Sequence, residues 1–281
     1  MRVVVLERKN RSDSASSVVI GFVLLLILAA AVLGIWAATG LPAQMKEMDK
    51  HTFRELERSF LQYKLAADTL RVQNSCGTVT GILFPDTRGI TFCVTTDTGG
   101  RLSITTDDDF GNTTICRIGK VSLRFSGVSG LNADVSYEAG GVHTKTGGND
   151  PAWITPALMQ ISPTDQSTAR VEIVVISFAG DAEISGSGNL PVMLTLRESG
   201  TRTLYWKDNA TIRFHSPDAK QQELWETMFF ETKERTVRSD VVITQPDPLT
   251  LRLETSGDLT SSEILLREAV YETGPAEILY A

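Results

Sequence analysis

From Ser14 to Gln44 no side chain carries a charge, and within that run Val18 to Thr39 reads VVIGFVLLLILAAAVLGIWAAT. About 20 apolar residues, rising about 1.5 Å each, match the roughly 30 Å hydrocarbon layer of a bilayer. A buried helix of a soluble domain seldom runs so long without a polar position. The apolar region of a removed secretory signal covers only about 7 to 15 residues before its small-residue cleavage site. The run predicts one membrane-spanning helix that includes Val18, Ile20, Gly21, Phe22, Leu25, Leu28, Leu33 and Trp36.

The preceding tail carries Arg2, Arg8, Lys9 and Arg11 against Glu7 and Asp13. Basic residues favour the cytoplasmic side, so the N-terminus is expected inside and the C-terminal part outside. Asn112-Thr113-Thr114 and Asn209-Ala210-Thr211 fit the glycosylation acceptor pattern, which matters only for a translocated domain. The formal charge is −7; four basic against two acidic residues give the tail +2, which leaves −9 for the rest. Such an acidic domain excludes nucleic acid as a partner, because phosphate contacts need clustered Lys and Arg. Cys76, Cys93 and Cys116 are too few and too dispersed for a zinc site or a disulfide scaffold. Strand alternation points Val94 inward and Cys93 outward, with Cys116 on the face of Ile118, so a Cys93–Cys116 bridge is the least favoured pairing.

After the apolar run, Met45, Met48, Leu56, Phe60, Tyr63, Ala67 and Leu70, with Thr52 filling a step, recur at intervals of three and four. This is one stripe of an amphipathic helix, and the simplest reading is a single helix over residues 16–74, bent near Pro42. From Thr78 the pattern changes to short β-branched runs separated by turn residues. Pro85-Asp86-Thr87-Arg88 and Asp97-Thr98-Gly99-Gly100 read as hairpin turns. Thr114–Ile118 and Val121–Phe125 read as separate strands, as do Val192–Leu196 and Thr203–Trp206. One helix interrupts them, with Ser216-Pro217 as its start and Leu224, Trp225, Met228 and Phe229 on its apolar face. The expected fold is α+β: a hydrophobic then amphipathic helix, followed over 75–281 by a mainly antiparallel β-sandwich or open barrel of one or two subdomains, with one short inserted helix.

No HExxH, CxxC, GxSxG or phosphate-loop pattern occurs, and His51, His143 and His215 are far apart in sequence. Gly119-Lys120 lacks the following hydroxyl and the leading glycine of a phosphate loop. Asp107-Asp108-Asp109 offers hard oxygen ligands without EF-hand spacing and reads as a solvated hairpin tip. Nothing here points to catalysis, a cofactor or a metal, so the expectation is a non-enzymatic protein.

The segment Ser17-Val18-Val19-Ile20-Gly21-Phe22-Val23-Leu24-Leu25-Leu26 resembles the N-terminal signature of archaeal type IV pilin-like proteins. Basic leader, hydrophobic helix, amphipathic extension and β-rich head also look like that family. Tyr137-Glu138-Ala139-Gly140-Gly141-Val142 is similar to a YEGG-type segment of archaeal surface proteins with this anchor, as is the succession Ile173–Ile176, Gly180 and Ser185–Gly188. The resemblance implies that a membrane-embedded prepilin peptidase removes residues 1–15, cutting between Ala15 and Ser16. Val18 stands where the family often has proline, and Asp13-Ser14 where basic residues usually precede the cut.

Two functions follow. The first is a pilin-like, minor or accessory filament subunit at the cell surface, whose partners are the bilayer, other pilin subunits through the N-terminal helix, and the peptidase. The alternative is a permanently anchored extracytoplasmic binding or adhesion module. A second apolar stripe favours the first, because an anchor alone needs no such extension.

Overall fold

The computed structural model describes residues 12–73, 78–82, 91–107, 112–163, 168–180, 182–187, 191–236, 241–255 and 261–275. The fold is α+β. Helix α1 (Ser12–Gln73) is continuous through Pro42. Two compact units result, Met1–Met48 and Asp49–Ala281, so the boundary falls within α1. Residues 74–77, with Cys76, and the expected turn at 85–88 lie outside the described residues.

In the second unit the buried stripe of α1 is Asp49, Phe53, Leu56, Phe60, Tyr63, Ala67 and Leu70. Its steps alternate four and three, which keeps one face of a 3.6-residue helix inward. Phe53, not Thr52, occupies the missing step. Met45 and Met48, expected on the stripe, are exposed. Asp49 is buried because its carboxylate accepts from the amides of Val128 at 3.2 Å and Ser129 at 2.7 Å, and from the Ser129 hydroxyl.

Among the described residues fourteen strands form two sheets. The five-stranded sheet runs β1 (Thr78–Ile82), β10 (Pro191–Trp206), β14 (Ser261–Pro275), β8 (Thr168–Phe178), β7 (Met159–Pro163). The nine-stranded sheet runs β12 (Val241–Asp247), β13 (Thr250–Thr255), β11 (Asn209–His215), β2 (Thr91–Thr106), β3 (Thr113–Ser126), β4 (Asn132–Glu138), β5 (Gly141–Thr146), β6 (Ala152–Thr155), with β9 (Glu183–Ser187) also on β2. Among the described residues the pairings are antiparallel except that of β8 with β14. Helix α2 (Ala219–Arg235) lies between β11 and β12 in the chain.

One expected turn is not a turn. Asp97-Thr98-Gly99-Gly100 lies inside β2, where the register against β3 shifts between Thr98 and Gly100. A Cβ on Gly99 would stand 2.8 Å from the Glu138 carboxyl carbon, and one on Gly100 would stand 2.5 Å from the Phe214 ring. The glycines serve close approach at a β-bulge. β3 is likewise one strand. Its buried positions pass from Cys116 and Ile118 to Val121, Leu123 and Phe125, a change of parity that exchanges the buried face midway. β10 and β14 repeat the arrangement: β10 is one strand with a bulge between Leu196 and Glu198, and β14 passes from Ile264 and Leu266 to Ala269 and Tyr271.

Each long ribbon therefore serves two cores. One gathers the α1 stripe with Leu123, Val135, Tyr137, Ile176, Leu194 and Tyr271. The other gathers Leu102, Ile118, Ile173, Phe214, Leu266 and the α2 residues Trp225, Met228 and Phe229. β8 feeds Val174 and Ile176 to the first and Val171, Ile173 and Val175 to the second, which explains its unbroken apolar run.

Candidate functional site

The Tyr137–Val142 segment turns β4 into β5. Ala139 and Gly140 both take positive φ, 47° and 76°, as the two central residues of a type I′ hairpin require. Tyr137 faces the α1 core, where it meets Tyr63 edge-on at 6.4 Å. Its hydroxyl donates to Asp68 at 3.4 Å. Burial and the nearby Asp68 carboxylate hold its own ionisation well above the usual range. Glu138 faces the opposite way and is fully buried beneath α2.

The Glu138 carboxylate accepts from Gln221 Nε2 and, at 2.8 Å, from Trp225 Nε1. His143 Nε2 stands 3.5 Å away. Trp153 packs edge-on against His143 at 5.2 Å and donates to the Leu224 carbonyl at 3.0 Å. A buried carboxylate persists only when its lone pairs are used, and here both used pairs belong to α2. The cluster seats the helix. Asp218, one residue beyond the expected Ser216-Pro217, is the true N-cap, and its carboxylate accepts from the Lys220 amide at 3.0 Å.

Beside α2 lies an open groove of about 1160 Å³. The sheet contributes Arg101, Arg117, Arg213 and His215. Helix α2 contributes Glu223 and Glu226, and the β12–β13 turn contributes Asp247, Pro248 and Leu249. Ser103 Oγ and His215 Nε2 are 3.2 Å apart. Burial, then Arg213 and Arg101, lower the His215 pKa below its ordinary value. Among the described residues the His215 ring hydrogen-bonds Ser103 and no carboxylate, whereas a nucleophile-activating triad also orients its imidazole with an acid.

Asp107 ends β2, and its carboxylate accepts from the amides of Lys207 and Asp208 at 2.8 Å and Asn209 at 2.7 Å. Desolvation raises its pKa, but these backbone bonds outweigh it and hold the carboxyl below the usual value. Asp107 is thus a backbone clamp; Asp108 and Asp109 lie outside the described residues. Among the described residues no three His, Cys, Asp or Glu side chains are grouped to hold a metal. The two acceptor triplets meet at this end of the sheet: Thr106 N–H donates to the Asn112 carbonyl and Asp107 N–H to that of Asn209. Asn112 is exposed and Asn209 half-buried. Cys93 and Cys116 are unbridged; Cys93 is half-buried, and burial, then the Glu268 carboxylate, push the Cys116 thiol up to about 11.

Of the expected membrane residues, Ile20, Phe22, Leu25, Leu28, Leu33 and Trp36 are all exposed, Leu28 by 66%. The apolar window of α1 has mean hydropathy 2.9 and none of it is buried, which makes it a candidate membrane anchor. Ala15 and Ser16 belong to the first turns of α1, with side chains outside the described residues. The sequence motif that contains Glu138 carried no sign of its buried role, and neither the Arg101–Arg117–Arg213 row nor the Ser103–His215 pair was expected. Only the alternation Arg101, Ser103, Thr105 hinted that the basic and hydroxyl side chains share one strand face.

A family profile described as "Family of unknown function (DUF7289)" matches residues 15–255. No curated protein and no solved structure matches the chain.

Proposed function

This chain belongs to the DUF7289 family, and from that premise we propose that it is a non-enzymatic, pilin-like protein held in the cell membrane by α1, a minor or accessory filament subunit with its β domain outside. The carrying observation is the wholly exposed apolar stretch of a helix whose later turns are built into a β core. Burying a Val, Leu, Ile or Phe is worth about 1.5–3 kcal/mol. Roughly a dozen such side chains are exposed between Val19 and Trp36, so lipid or neighbouring apolar helices stabilise them by some tens of kcal/mol. The later stripe, by contrast, is already used within the chain. A helix that needs apolar company along its first half and carries a folded head on its second half suits both bilayer and filament core.

Entry into a filament requires loss of the basic tail, because each Arg or Lys costs about 2.5–3.5 kcal/mol at the bilayer centre. Mass spectrometry of the native N-terminal peptide is expected to find Ser16 as the first residue. An Ala15 substitution by a bulky residue should leave the leader attached. Only chains beginning at Met1 or Arg2, from cells with an active prepilin peptidase, would overturn the filament-subunit reading.

A further inference from the structure

Arg117, Arg101 and His215 stand in one cross-strand row: Arg101 is paired with Arg117 on β3 and with His215 on β11. Arg213 shares the face of His215, two residues along β11. Like charges placed directly opposite weaken a sheet, and no other strand pair among the described residues sets them so. Arg170, Arg197, Arg202 and Arg267 on the five-stranded sheet each meet a glutamate. Arg101, Arg117 and Arg213 are exposed and form no ion pair among the described residues. Three unpaired guanidiniums therefore open onto one groove, in a chain whose net charge is −7.

Guanidinium forks suit a carboxylate, sulfate or phosphate. The rest of the lining narrows the choice. Glu223, Glu226 and Asp247 would repel an anion whose charges are packed as closely as in a polyphosphate, whereas they tolerate one carboxylate per sugar ring, and ionised carboxylates accept hydrogen bonds from hydroxyls. Pro217, Pro248 and Leu249 add apolar surface, suited to the C–H face of a sugar ring. The groove's volume of about 1160 Å³ exceeds that of a single small ion many times over. We infer that the groove binds a hexuronate unit of an oligosaccharide, its single carboxylate on Arg101 and Arg117 and its hydroxyls toward Glu226. This site is independent of whether α1 enters a filament.

The test is calorimetric titration of the full chain in detergent micelles with tri-galacturonate, maltotriose and inorganic sulfate. Saturable binding of tri-galacturonate is expected, weakened at least about tenfold by Arg101→Gln with Arg117→Gln, while maltotriose does not saturate. Both arginines are exposed, and an unchanged circular dichroism spectrum verifies that the double variant folds. Glu226→Ala is expected to weaken tri-galacturonate about threefold or more while leaving any sulfate binding no weaker. Absence of tri-galacturonate binding, undiminished binding by the arginine variant, or equal binding of maltotriose overturns the proposal. Displacement of tri-galacturonate by sulfate at equal concentration overturns the sugar assignment.

Discussion

Asp107 and Glu138 are both carboxylates committed to hydrogen bonds, and their consequences differ with burial. Asp107 has a lowered folded pKa, so its ionised form favours the folded state. That contribution is present above the ordinary carboxylate value of about 3.9 and is lost as pH falls through the folded value. Asp107→Asn should therefore lower the denaturation midpoint at about pH 7, and the difference should shrink by about pH 3. An equal difference at both pH values would contradict the clamp. Among the described residues Glu138 is the acceptor for both Gln221 Nε2 and Trp225 Nε1. Glu138→Ala leaves both donors buried and unpaired, at a cost of about 2–5 kcal/mol in total, and should red-shift the Trp225 emission as α2 loosens. Glu138→Gln retains an acceptor oxygen and should cost less; equal losses for the two variants would argue against the hydrogen bonds as the cause.

Within elements, the two faces of α1 provide a matched comparison, since Leu56 is 2% and Leu65 65% exposed on the same helix. Leu56→Ala is expected to cost about 2–5 kcal/mol and Leu65→Ala within about 0.5 kcal/mol, read from urea denaturation. Similar costs would dissolve the stripe. The helical period was legible because 3.6-residue spacing needs no partner to be recognised, although Phe53 displaced Thr52 and Asp49 took a buried position through the Val128 and Ser129 amides. The long strands were less legible. Glycines that look like turn residues serve close packing against Glu138 and Phe214, and the parity change after Ile118 looks like a strand end when it is a change of face. Gly100→Ala should accordingly destabilise by about 1–3 kcal/mol through overpacking, whereas Gly148→Ala, with open space around its Cβ, should be close to neutral in the same melt.

For the whole molecule, the proposed orientation predicts that protease applied to intact cells removes the region after Lys50, while a known cytoplasmic marker in the same sealed cells resists digestion. Protection of that region alongside digestion of a surface marker would reverse the orientation. What the sequence determined by itself was everything governed by local period and composition: the apolar span, the amphipathic continuation of α1, the β-rich remainder and the apolar face of α2. These depend on spacing along one chain segment and on the length of uncharged runs. Only the tertiary structure decided which glycines bend the long ribbons, how those ribbons divide their faces between two cores, and that Glu138 lies under Gln221 and Trp225. It alone set Arg101 beside Arg117 and His215. Those placements arise from strand register between residues far apart in the chain, 114 positions for Arg101 and His215, and register is settled by packing across the sheet, which no local pattern carries.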